Sequence, residues 1–117
     1  GLKDPEHAAL GPMGGTIMET AVLSEIVKVL TNRGTNPQVY FWRTIAGTEV
    51  DIVIDTGATL VPIEVKLSAT PRPAMAASIK TFRKDLGDKV TAGYVVHPGD
   101  IALNLGSGIT AVPFSKL

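Results

Sequence analysis

The sequence predicts an α/β domain in which a mixed central sheet is flanked by helices. Three observations predict it. Residues 16–30 (TIMETAVLSEIVKVL) place apolar side chains at helical spacing. Residues 39–67 hold three runs rich in β-branched and aromatic residues, parted by short turns. A second helical pattern then separates those runs from two later apolar ones, so the order is α-β-β-β-α-β-β.

Each element has a local reason. Residues 1–15 hold two Pro, four Gly and no periodicity, which predicts loop and the edge of a larger chain, with the domain proper at 16–117. The first helix stops where Asn32-Arg33-Gly34 offers Gly as a C-cap. Residues 39–45 (VYFWRTI), 49–55 (EVDIVID) and 60–67 (LVPIEVKL) predict a meander turned at Ala46-Gly47 and at Thr56-Gly57-Ala58. Pro71 and Pro73 precede a helix over 74–86, with Met75, Ile79, Phe82 and Leu86 on one face and Lys80, Arg83 and Lys84 elsewhere. Residues 90–96 and 108–114 predict two last strands, the second at an edge because of Pro113.

Composition excludes several classes of function. The 117 residues are one domain, and a 44% hydrophobic content supports one modest core. Eleven basic and eleven acidic residues cancel, so there is no general cationic coat for nucleic acid. The absence of Cys removes disulfides, thiolate zinc sites and Cys nucleophiles together. With only two His, a metal would be a hard cation held by oxygen. No apolar run reaches membrane-span length and no signal peptide opens the chain, so a cytoplasmic protein is expected.

Charge in apolar surroundings marks the candidate site. On a wheel of about 100° per residue, Glu19 falls within the stripe of Val22, Leu23, Ile26, Val27, Val29 and Leu30. A helix-start carboxylate favoured by the helix dipole is the alternative reading of Glu19. By strand parity, Glu49 and Asp51 share one face, opposite Val50, Ile52 and Ile54. Glu64 and Lys66 likewise oppose Ile63, Val65 and Leu67. A solvated cross-strand salt bridge would give the same parity, yet a small α/β domain covers both sheet faces. Several carboxylates converging with one Lys under a helix are better suited to a divalent metal than to packing.

Asp51, twelve residues, then Glu64-Val65-Lys66 resembles the D-x(n)-E-x-K signature of the PD-(D/E)XK nuclease superfamily. The blocks Gly15-Thr16-Ile17-Met18-Glu19-Thr20, Val39-Tyr40-Phe41-Trp42-Arg43, Gly47-Thr48-Glu49-Val50-Asp51 and Pro62-Ile63-Glu64-Val65-Lys66 resemble the uncharacterised C-terminal domain of AAA-type P-loop ATPases. Gly93-Tyr94-Val95-Val96 and Ala111-Val112-Pro113-Phe114 fit it as well, so the resemblance covers residues 10–117. It implies a restriction-endonuclease-like core and Mg²⁺- or Mn²⁺-dependent phosphodiester hydrolysis of DNA. Asp51, Glu64, Glu19 and the backbone carbonyl of Val65 are then the implied metal ligands, with Lys66 beside the attacking water. Arg43, Trp42, Lys80, Arg83 and Lys84 are candidate nucleic-acid contacts, with an ordinary solvated charge or a core aromatic as the alternative reading of each. The partner ATPase module is expected outside this chain, because no G-x-x-x-x-G-K-[ST] occurs in it. Self-association stays open, as does a catalytically inactive module that binds nucleic acid or protein.

Ile54-Asp55-Thr56-Gly57-Ala58 also resembles the loop of retroviral-type aspartic proteases, although a long leading helix disagrees with that all-β architecture. The same residues make good turn chemistry. Glu49 is expected to flank the site and Glu25 to lie at the surface, while His7 and His97 stand alone and read as structural or solvated.

Overall fold

The structure, a computed structural model, describes residues 7–9, 17–34, 36 and 38–117. Strands β1 (His7–Ala9), β2 (Gln38–Arg43), β3 (Glu49–Asp55), β4 (Leu60–Val65), β5 (Gly93–His97), β6 (Leu103–Asn104) and β7 (Ile109–Pro113) form one mixed sheet in the order β1-β2-β3-β4-β5-β7-β6. The first four pair antiparallel, β4-β5 and β5-β7 pair parallel, and β6 closes antiparallel on β7. Helix α1 (Ile17–Asn32) precedes β2, and α2 (Ala77–Leu86) makes the crossover from β4 to β5. The expected α/β class, the meander and both helices are therefore present, and among the described residues no helix is long and apolar enough to cross a membrane.

The two faces of the sheet have separate cores. Val22 of α1 joins Ile52, Ile54, Ile63, Val65 and Val96, with Met18, Leu23, Ile26 and Leu30 packed alongside. On the other face, Ile79 of α2 packs with Val95, Ile109 and Ala111, and Phe82 with Trp42, Val50, Val53, Leu60 and Val90. Trp42 and Phe82 meet edge to face, centroids 5.1 Å apart. Gly93 lets α2 come this close: a Cβ there would stand 2.7 Å from Cγ2 of Ile79.

Several boundaries differ from expectation. The segment 1–15 contains strand β1, whose ladder with β2 needs only three residues; the rest of that segment, and Thr16, lie outside the described residues. Leu67 lies past the end of β4 and is 66% exposed, so it is not part of the core face. The second helix opens as a 3₁₀ turn, Pro73–Ala76. Strand β6 is only two residues long, too short for a periodic signal. It also makes β7 an inner strand at Thr110 and Ala111, while Pro113 keeps no ladder partner on the β6 side. Proline is tolerated there because β6 pairs only with Thr110 and Ala111.

The strict alternation expected in β3 is broken as well. Tyr40 pairs with Val53 but Trp42 with Val50, so Asp51 and Ile52 together oppose Phe41. This β-bulge turns Val50 to the α2 face with Val53, while Ile52 and Ile54 stay under α1.

Candidate active site

The main-chain ladder between β3 and β4 runs from Asp55–Leu60 to Ile52–Ile63 and stops at the bulge. Carboxylates continue it. The amide of Asp51 donates to Oε1 of Glu64 at 3.1 Å, and the amide of Val65 donates to Oδ2 of Asp51 at 2.8 Å. Each acid thus caps a backbone N–H on or beside the other's strand, which fixes both side chains at the end of the ladder. Beyond them, the amide of Lys66 still pairs with the carbonyl of Val96 at 2.9 Å, and its Nζ lies 3.4 Å from Oε2 of Glu64.

This corner opens into a cleft of about 380 Å³. Its walls bring together Glu19 from the first turn of α1, Glu49 and Asp51 from β3, Glu64 and Val65 from β4, and Lys66, closed by Ala74–Ser78 at the start of the crossover helix. The residues singled out by parity and by the helical wheel therefore do converge. Among the described residues, no three Asp, Glu or His side chains already stand at metal-ligating separation; Asp51 and Glu64 are the close pair, and Glu19 lines the same cleft.

The electrostatics are those of acids held together against their own charge. Glu64 is 5% exposed. Burial, then the neighbouring Asp51, push its carboxyl up to about 7, and the Lys66 ammonium and the Asp51 amide offset only part of that. Asp51 is also raised, chiefly by burial, while its hydrogen bond from Val65 and the nearby Lys66 oppose the shift. A second positive charge beside the pair would relieve this cost, and an all-oxygen donor set suits a hard divalent cation.

The basic residues lie differently. Arg43 pairs with Glu49 at 2.7 Å and stacks its guanidinium over Phe41 at 5.2 Å. Arg83 donates to the carbonyl of Ser107, tying α2 to the turn before β7. Lys80 and Lys84 are exposed on α2, and none of these four lines the cleft. Trp42, 0% exposed, is a core residue and cannot touch a nucleic acid; the aromatic density of β2 carried no signal that separates core from contact.

Asp55-Thr56-Gly57 closes the β3–β4 hairpin. Oδ1 of Asp55 accepts the Gly57 amide at 2.8 Å, and the Thr56 hydroxyl bonds Thr59. The carboxylate is thus engaged in turn chemistry.

The wall at Ala74–Ser78 was not legible in the sequence, because small residues after a double proline carry no chemical signature.

The family described as "Domain of unknown function (DUF4143)" matches residues 14–117. Two mycobacterial proteins, "Uncharacterized protein Mb2031c" of Mycobacterium bovis and "Uncharacterized protein Rv2008c" of Mycobacterium tuberculosis, are each 26% identical over all of this chain. The chain spans 25% of the length of each.

Proposed function

The chain belongs to the DUF4143 family, and we propose that it is a PD-(D/E)XK nuclease-like domain with a restriction-endonuclease-like core, hydrolysing DNA phosphodiesters with Mg²⁺ or Mn²⁺. The observation that carries this reading is the reciprocal capping of Asp51 and Glu64, with Lys66 beside them, in an open cleft. We propose further that it serves as one module of an AAA-type ATPase, to which the greater length of its relatives leaves room.

Asp51, Glu64, Glu19 and the Val65 carbonyl would hold the cation. When bound, such a cation supplies a more acidic water and neutralises charge growing on the phosphate. The chain's own contribution is positioning. The bulge and the two amide bonds hold both carboxylates without loose rotors, so little reorganisation is left to the reaction. Lys66, 39% exposed at its side chain, presents its ammonium at the cleft, where it orients water or counters an oxyanion.

Calorimetric titration of Mn²⁺ and Mg²⁺, followed by incubation with labelled single- and double-stranded DNA, tests the reading. Saturable binding and metal-dependent cleavage, both lost in Asp51→Ala and Glu64→Ala, are expected. Cleavage that survives both substitutions in a clean preparation overturns it.

One observation favours a second reading, a module that binds without cutting. Arg43 and Arg83, two of the expected phosphate contacts, are instead committed to Glu49 and Ser107. Absence of saturable Mn²⁺ or Mg²⁺ binding, together with no cleavage of any DNA form, would select it.

A further inference from the structure

Among the described residues, two polar or charged side chains are buried: Glu64 of the cleft and His97 at the end of the neighbouring strand, 0% exposed. His97 bridges a turn. Its Nδ1 accepts the Gly99 amide at 3.0 Å, and its Nε2 lies 2.7 Å from the carbonyl of Ile101. Accepting at one nitrogen leaves the other to donate, so the ring is a neutral imidazole in one tautomer.

The fold shows what the turn alone would need. At Asp55-Gly57 and Asn104-Gly106, the same bond from the amide two residues on is accepted by a short side chain, at 2.8 and 2.7 Å. An Asn would serve the turn at position 97 equally well. Histidine adds a donor that reaches two residues further and ties down Ile101.

The turn so fixed abuts the segment leaving the site. A Cβ on Gly99 would fall 2.1 Å from the carbonyl oxygen of Ala69, so the two backbones are in direct contact. Ala69 follows Lys66, whose amide is bound to Val96 next to His97, and leads to the 3₁₀ turn that walls the cleft.

We propose that His97 is a positioning residue for the carboxylate site: it clamps the 97–101 turn as a buttress for Ala69 and so holds Lys66 and the Ala74–Ser78 wall in place. This rests on reading the cleft as a metal site. The test measures Mn²⁺ affinity by calorimetry, thermal melting, and hydrogen exchange of the Lys66 amide in the metal-free protein. The variants are His97→Phe, His97→Asn and Gly99→Ala, with Val90→Ala as a core control in a cluster that lines no part of the cleft.

His97→Phe and Gly99→Ala are expected to weaken Mn²⁺ binding tenfold or more and to speed Lys66 exchange by a similar factor. His97→Asn, which keeps the turn bond, is expected to restore most of both. The control is expected to lower the melting temperature while leaving Mn²⁺ affinity within twofold. Folded His97→Phe and Gly99→Ala proteins with unchanged affinity and unchanged Lys66 exchange overturn the proposal. Failure of the parent protein to bind Mn²⁺ overturns the metal reading instead. The clamp is then judged on Lys66 exchange alone, where acceleration in His97→Phe supports it and an unchanged rate refutes it.

Discussion

Asp51 and Glu64 each accept a backbone amide across the β3–β4 gap, Glu64 from Asp51 itself and Asp51 from Val65, the residue after Glu64. Two acids that repel one another thereby replace the next rungs of a ladder. The strands gain continuity and the carboxyl groups lose their freedom, at the cost of desolvating charge. Four measurable consequences follow from this corner and the core behind it.

Stability of the metal-free protein should fall as pH rises. Glu64 is raised from 4.5 to about 7, so the folded state holds a proton that the unfolded state has released between those values. The stabilisation is full below pH about 4.5 and lost as pH climbs through about 7, and the raised Asp51 adds in the same direction. Urea unfolding in chelator should show a loss on the order of 2–3 kcal/mol between pH 5 and pH 8. Glu64→Gln should remove most of that difference and be the more stable protein at pH 8.

Mn²⁺ or Mg²⁺ should stabilise the protein most at high pH, where both carboxylates are charged. At a hundred times the dissociation constant the gain is about 2.7 kcal/mol. A melting series at pH 8 checks this, with no shift expected in Asp51→Asn or Glu64→Gln. An equal shift in those variants would place the cation elsewhere.

Trp42 is the single Trp of the chain and is 0% exposed, so its fluorescence should resist iodide quenching and stay unchanged when DNA is added. Trp42→Ala should cost about 3–5 kcal/mol in chemical unfolding, because it empties the space against Phe82.

Gly93→Ala should destabilise by about 1–3 kcal/mol, since its Cβ would press on Ile79 at 2.7 Å and push α2 from the sheet. Adding Ile79→Val should recover part of that loss by removing atoms from the contact, and a double-mutant cycle in urea measures the recovery.

Much of this protein is written locally. The spacing of Val22, Leu23, Ile26 and Leu30 determines α1 and its buried side, although Val29 of the same stripe is 37% exposed, and Ile63 and Val65 determine which face of β4 lies under it. The same parity singles out Glu64, Lys66, Glu49 and Asp51, and all four line one cleft. These are properties of neighbouring residues in one element, and periodicity records them. Only the tertiary structure decided that Val50 leaves the face of Ile52, because a bulge is a count of residues across two strands and neither strand shows it alone. It decided equally that Arg83 serves the Ser107 turn, that Trp42 is sealed beneath α2, and that His97 meets Ile101 while Gly99 rests on Ala69. Those relations join segments far apart in the chain or depend on what each side chain finds after packing. Composition and spacing name the groups available for chemistry, and long-range packing chooses their partners.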